Sequence, residues 1–271
     1  MSVSARNVGE LIATRDPIEP EMVLIPAGEF LMGSDPKRDP RARRDEVPQH
    51  RLYLPDYALS RTPITNAQYA IFLRATRHRP PIHWRILFIK HRWPPFKRAN
   101  YPVVHVTWED ANAYCQWLSE VTGKPYRLPS EAEWEKGARG PDGRIYPWGN
   151  EWEVGVCNIS SDPEHPPGTT PIDAFPQSAS PYGLLDMVGN IWEWTRSLWG
   201  LDLRKPTYGY PYDPDDGREN QLAGSRVRRV LRGVSFYNGP AMARCAQRYR
   251  YSPRNHFDSV GFRVALSPDA E

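Results

Sequence analysis

Twenty-nine prolines and nineteen glycines in 271 residues restrict this chain more than any other feature. Proline lacks a backbone donor and interrupts both helices and central strands, while glycine weakens either element. Regular segments must therefore be short and the loops long. Long loops need something to hold them, and ten tryptophans within a 12% aromatic and 39% hydrophobic composition supply it. Packed aromatic rings, together with a bound ion, are expected to fix the loop conformations.

Helix signals are confined to the first half. Thr65-Asn66-Ala67-Gln68 forms a capping box, with Tyr69, Phe72 and Leu73 at helical spacing. Thr107-Trp108-Glu109-Asp110 is a weaker start; Ala111, Cys115 and Leu118 share one face, and Gly123 can end the helix. Ser130-Glu131-Ala132-Glu133 opens a third, with Trp134 and Ala138 as its buried stripe. Met22 to Ser34 reads as two short strands about a Pro/Gly turn, and Arg51 to Leu59 as one strand. The charged, proline-bearing run Asp35 to Val47 is expected to be a solvated loop. Beyond residue 139 only short apolar pieces occur, such as Arg229-Val230-Leu231-Arg232 and Gly261-Phe262-Arg263-Val264. The pattern predicts an α+β fold with few helices, short strands and long loops.

No repeat or linker divides the chain, so a flexible segment 1–20 and one domain over 21–271 are expected. A net charge of +3, with 35 basic residues against 32 acidic, gives little attraction for nucleic acid or an anionic membrane. The apolar run Met22 to Ile25 is far short of the roughly 20 residues that span a bilayer. Arg85 to Arg98, interleaved with Trp84, Phe88, Trp93 and Phe96, reads as an insertion loop over the core. Cys115, Cys157 and Cys245 stand far apart, which suits neither a zinc framework nor a disulfide scaffold and points to buried thiols in a reducing compartment. With no secretory signal in residues 1–21, a cytoplasmic, monomeric protein is expected.

Seven segments, in order, resemble the formylglycine-generating enzyme (sulfatase-modifying factor) family: Ile25 to Phe30, Pro102 to Trp108, Tyr126 to Glu135, Tyr146 to Asn150, Tyr182 to Trp194, Arg229 to Gly233 and Gly261 to Val264. The resemblance implies a C-type lectin-like fold with adjacent termini and a loop-rich ligand face. It also implies what the chain lacks. Family enzymes oxidise a substrate cysteine with copper held by two cysteines, a soft pair suited to Cu(I); the matching positions here are Asn238 and Ala243. Copper and formylglycine synthesis are thus not expected. Two family disulfides are each reduced to one partner, Cys115 facing Val264 and Cys245 facing Ala138. By the same resemblance, a structural calcium ion would be held by Asp186, Gly189, Ile191 and Glu193, through side-chain and backbone oxygens. Asn158 and Ile159 match part of a second ion site whose downstream acid is displaced by Pro163 to Pro167. Trp192 and Trp194 are expected in the core.

Between the last two segments stand Tyr237, Asn238, Gly239, Ala241, Met242, Gln247, Tyr249, Tyr251, Ser252, Arg254, Asn255, His256, Phe257, Asp258 and Ser259. Interleaved among them, Arg244, Cys245, Ala246, Arg248 and Pro253 still match the family. This alternation resembles the variable proteins of diversity-generating retroelements, in which adenine mutation converts an AAC codon to any NNC codon; all but Met242 and Gln247 are NNC-encodable. Independently, tyrosines and phenylalanine among Ser, Asn, Asp and Arg make a paratope-like composition. The expectation is a non-enzymatic binding protein whose segment 236–260 contacts a protein ligand, with Phe236 turned into the core. The alternatives are an accessory domain in a signalling system, and an enzyme of other chemistry. Against the latter, no phosphate loop, GxSxG elbow or HExxH motif occurs.

Overall fold

The computed structural model describes residues 18–84, 98–160 and 168–267. The readings made for residues 1–17, for the basic run beginning at Arg85 and for Pro163 to Pro167 lie outside the described residues. Within them, three small sheets and three helices form in the order β1 (Met22–Ile25), β2 (Gly28–Met32), β3 (His50–Leu54), β4 (Tyr57–Ser60), α1 (Asn66–Thr76), α2 (Trp108–Thr122), β5 (Tyr126–Arg127), α3 (Glu131–Arg139), β6 (Trp192–Gly200), β7 (Arg228–Arg232), β8 (Tyr249–Tyr251), β9 (Val260–Gly261) and β10 (Ala265–Leu266).

Each helix begins where its side chains can satisfy the exposed amides. The Thr65, Thr107 and Ser130 hydroxyls accept from Gln68, Asp110 and Glu133 N–H, and each of those side chains bonds back to the cap residue's N–H. All three are full capping boxes, each worth about 1 kcal/mol. Gly123 closes α2 in the left-handed region at φ 73°. Tyr69, Phe72, Leu73, Ala111, Cys115, Leu118, Trp134 and Ala138 are all buried. Gly261 admits no larger residue, because a Cβ there would lie 2.2 Å from the Val103 carbonyl.

Strand β4 joins the two described ends of the chain: β1 and β10 both pair with it antiparallel, and β5 continues the sheet beyond β10. Strands β2 and β3 form a separate pair. The run Arg51 to Leu59 is therefore two strands in two sheets, broken at Pro55-Asp56, where proline halts one ladder and lets the chain change sheets. The third sheet runs β8-β7-β6-β9 and carries the C-terminal half. Of Gly261 to Val264 only Gly261 lies in a strand, as the second residue of β9. The main core is aromatic: Tyr69, Phe72, Tyr114, Trp117 and Phe262 meet with ring centroids 5.1 to 6.3 Å apart.

Two expectations about charge are corrected. The loop Asp35 to Val47 is not simply solvated: Asp39 and Glu46 are buried, and both receive hydrogen bonds from buried Arg244. Distant charge partners in the C-terminal half, invisible to local reading, drew these acids inward. Residues 18–20 are also tied down, since the Glu19 carboxylate accepts from Lys124 Nζ at 2.6 Å and from the Tyr126 hydroxyl at 2.8 Å. No described helix is long and apolar enough to cross a membrane.

Candidate ligand face and its supporting frame

Segment 236–260 is built as buried pegs alternating with outward side chains. Arg244, Cys245, Ala246, Arg248 and Pro253 are buried. Beyond its bonds to Asp39 and Glu46, Arg244 donates to Gln247 Oε1. Arg248 forks onto both oxygens of Glu131 at 2.9 Å. A buried guanidinium is stable only when its donors are met, and a bidentate carboxylate meets two at once. These pairs fasten the segment to α3 and to the loop before β3.

Between the pegs, Tyr237 (57% exposed), Phe257 (39% exposed), Ala241, Arg254, His256 and Asp258 face solvent. Asn238, Gly239, Met242, Tyr249, Tyr251, Ser252 and Asn255 are half-buried. The Tyr237 hydroxyl donates to Asp258 Oδ2 at 2.7 Å, clasping the two ends of the segment. An aromatic track runs from Trp192 through Tyr249 and Tyr251 to Phe257, with successive centroids 5.2, 5.1 and 4.6 Å apart. It carries rigid contact area from the core to the surface at little entropic expense.

Gln247 and Ser259 do not belong to this face. Gln247 is 0% exposed and bonded to Arg244 and Arg248; Ser259 is buried, and its carbonyl accepts from the Trp192 N–H. Both were read as outward from their neighbours in sequence, but irregular backbone lacks the fixed period that such a reading needs. Phe236, Trp192 and Trp194 are buried, as their motif positions implied.

Asn238 stands where the resemblance puts the enzymes' first copper-binding cysteine. Its Oδ1 accepts from Trp192 Nε1 at 3.1 Å and from Ser235 Oγ at 3.0 Å. Ala243 is fully buried and packs with Cys157, Ile159 and Val188. All three cysteines are buried. Burial pushes the Cys245 thiol up to about 12 and Cys115 higher still, so neither supplies a thiolate near neutral pH. Cys115 and Val264 share one core cluster, Cys245 and Ala138 another.

Asp186 and Glu193 are the two carboxylates that the family resemblance implies as calcium ligands. Asp186 is buried in the left-handed region, at φ 55°. Its Oδ2 accepts from Asn190 Nδ2 at 2.8 Å, and burial, incompletely offset by that bond and by Arg263, pushes its carboxyl up to about 7. A buried carboxylate short of compensating charge suits a hard cation. Glu193 is more committed: Arg263 forks onto both its oxygens at 2.6 and 2.9 Å, and Trp134 Nε1 donates at 2.8 Å. A carboxylate offers about four acceptor positions, so one is left over for an ion. Among the described residues no three His, Cys, Asp or Glu side chains converge on a metal position. An ion here would rely on Asp186 and the backbone oxygens of Gly189 and Ile191.

Asn158 and Ile159, implied as part of a second ion site, stand beside this loop. Asn158 Nδ2 donates to the Gly168 carbonyl at 2.8 Å and to Asn190 Oδ1 at 3.3 Å, while the Ile159 side chain is buried with Ala243. The residue that sequence reasoning missed is Asn190. It bridges Asn158, Thr170 and Asp186 from the left-handed region at φ 65°. The Gly-Asn step at 189–190 was the available signal, because asparagine tolerates that backbone better than most residues.

Short strands, capped helices, an end-joining sheet and a loop-built face define a C-type lectin-like α+β fold. Residues 10–268 match the sulfatase-modifying factor enzyme 1-like domain, and the chain belongs to that family. It is 32% identical to the inactive C-alpha-formylglycine-generating enzyme 2 of Mus musculus, over 92% of this chain and 86% of that protein. The structure of PvdO from Pseudomonas aeruginosa aligns with a TM-score of 0.70 at 29% identity, covering 92% of this chain and 95% of that one. Treponema denticola variable protein 1 aligns with a TM-score of 0.66 at 21% identity, over 91% and 95% of the two chains, and so shares the fold. A family described by an enzyme thus contains a member named as inactive. Membership alone leaves the activity of this chain to its own residues.

Proposed function

We propose that the protein is a non-enzymatic binding protein that presents segment 236–260 to a protein ligand, on a frame that tolerates change at the outward positions. The observation that carries this reading is the alternation just described: ion-paired or apolar pegs face inward while Tyr237, Arg254, His256, Phe257 and Asp258 face solvent. Substitution at such positions changes chemistry without touching the core. The reading extends to retroelement diversification of these codons, and to a monomer acting in the cytoplasm.

Randomising Tyr237, Ala241, Arg254, His256, Phe257 and Asp258 in a displayed library is expected to leave most variants folded and to yield binders to an arbitrary protein target. Randomising Arg244, Cys245, Ala246 and Arg248 is expected to leave few folded. Equal tolerance at the two sets would overturn the proposal. So would conversion of a cysteine peptide to formylglycine by the copper-treated protein. For the retroelement extension, differences between sibling genomes should be confined to adenines of a template repeat; an invariant segment would end it.

Calcium at Asp186, with the Gly189 and Ile191 carbonyls and Glu193, is proposed as part of the frame. One millimolar calcium is expected to raise the melting temperature of EDTA-treated protein by several degrees, since a ligand at about 100 times its dissociation constant adds ~2.7 kcal/mol. In Asp186→Asn the rise should vanish. A calcium-insensitive wild type would remove the ion from the account.

A further inference from the structure

A cleft of about 460 Å³ lies beside the outward segment. It is lined by the stretch Arg79 to Ile82, by His105 and the start of α2, and by Arg254 and His256. Its size falls in the range of small-ligand and side-chain pockets, roughly 300 to 1,000 Å³. His105 is tied to the outward segment: its backbone N–H donates to the Phe257 carbonyl at 2.9 Å from a left-handed backbone at φ 59°, and its ring lies 4.6 Å from that of His83. Cleft and outward segment are thus one continuous surface.

The charges lining the cleft do not cancel. Asp110 is spent internally, accepting from the Thr107 N–H at 2.9 Å and pairing with His78 Nε2 at 2.7 Å. Burial raises the Glu109 carboxyl, which weakens the other acid. Arg79 and Arg254 are both exposed; Arg254 lies within electrostatic reach of Glu109, and Arg79 faces the cleft beside it. Two exposed guanidinium forks therefore line a cleft in which Glu109 is the one acid not already paired with His78. A guanidinium fork matches a planar carboxylate through two parallel hydrogen bonds, and the proline wall with Ile82 offers apolar surface to the methylenes behind it.

We propose that this cleft receives an acidic side chain of a peptide ligand, its carboxylate held by Arg79 and Arg254. The inference rests on the ligand-face reading, because Arg254 and His256 belong to the outward segment, and it assigns that face a chemistry. Arg79 lies outside the segment, so an acid preference would persist while the outward residues change.

The test is a titration of the full chain, followed by arginine side-chain NMR, with three probes: acetyl-Ala-Glu-Ala-amide, its glutamine counterpart and inorganic phosphate. Assignments come from Arg79→Gln and Arg254→Gln. The glutamate peptide is expected to shift the Arg79 and Arg254 resonances to saturation. It should bind at least tenfold more tightly than the glutamine peptide, and at least tenfold less tightly to the folded double variant. Equal binding of the two peptides, unchanged binding to the double variant, or saturation by phosphate but not by the glutamate peptide would each overturn the proposal. Failure here would leave the library result at Tyr237 and Phe257 standing, so the two readings fall separately.

Discussion

Arg244→Ala is expected to destabilise the protein by about 3–5 kcal/mol, the cost of leaving a buried acid without its partner. The guanidinium contacts Asp39 and Glu46, and both acids are almost wholly withdrawn from water. Removing it takes from Glu46 its ion-pair partner and leaves Asp39 only the longer contact with exposed Arg41 at 3.3 Å, and protonating these acids in place is the costly remedy left. Urea unfolding should show the loss as a fall in midpoint. Arg244→Ala with Glu46→Gln should recover part of it, because one stranded charge disappears. The same substitution at Tyr237, whose hydroxyl reaches only exposed Asp258, should move stability by no more than about 0.5 kcal/mol. If Arg244→Ala also fell in that range, the pegged-segment account would be wrong.

Trp134→Ala should be similarly severe, at about 3–5 kcal/mol for truncating a buried aromatic ring. Trp134 is fully buried on α3, its Nε1 donates to Glu193, and Arg232 lies over its ring at 5.4 Å. The truncation opens a cavity and removes a donor from the carboxylate that Arg263 grips. Trp134→Phe keeps most of the ring and loses only the donor, so a smaller loss of about 1–3 kcal/mol is expected. Guanidinium unfolding of both variants separates the terms. Equal losses would mean that the hydrogen bond, and not the packing, carries the effect.

The outward face itself was only partly legible in the chain. Tyr237, Arg254, His256, Phe257 and Asp258 stand outside, and the pegs Arg244 to Ala246 and Arg248 stand inside, as the motif positions implied. Gln247 and Ser259 were misplaced because neither helix nor strand periodicity governs that stretch. The cleft was not legible at all. Arg79 and Arg254 are 175 positions apart, and nothing local connects them.

What the sequence determined by itself was whatever depends on near neighbours. Two capping boxes and a weaker cap placed three helices, Gly123 ended one of them, and the apolar spacing chose their buried faces, because each is settled within about one or two helical turns. By the family resemblance, Asn238 and Ala243 also stand where the enzymes carry copper-binding cysteines. Only the tertiary structure decided the charge map. Asp39 and Glu46 join Arg244 across 205 and 198 positions, and Glu193 joins Arg263 across 70. The stability of a buried charge depends on which opposite charge the fold delivers to it, and that choice belongs to the packing of the whole molecule, not to any segment of it.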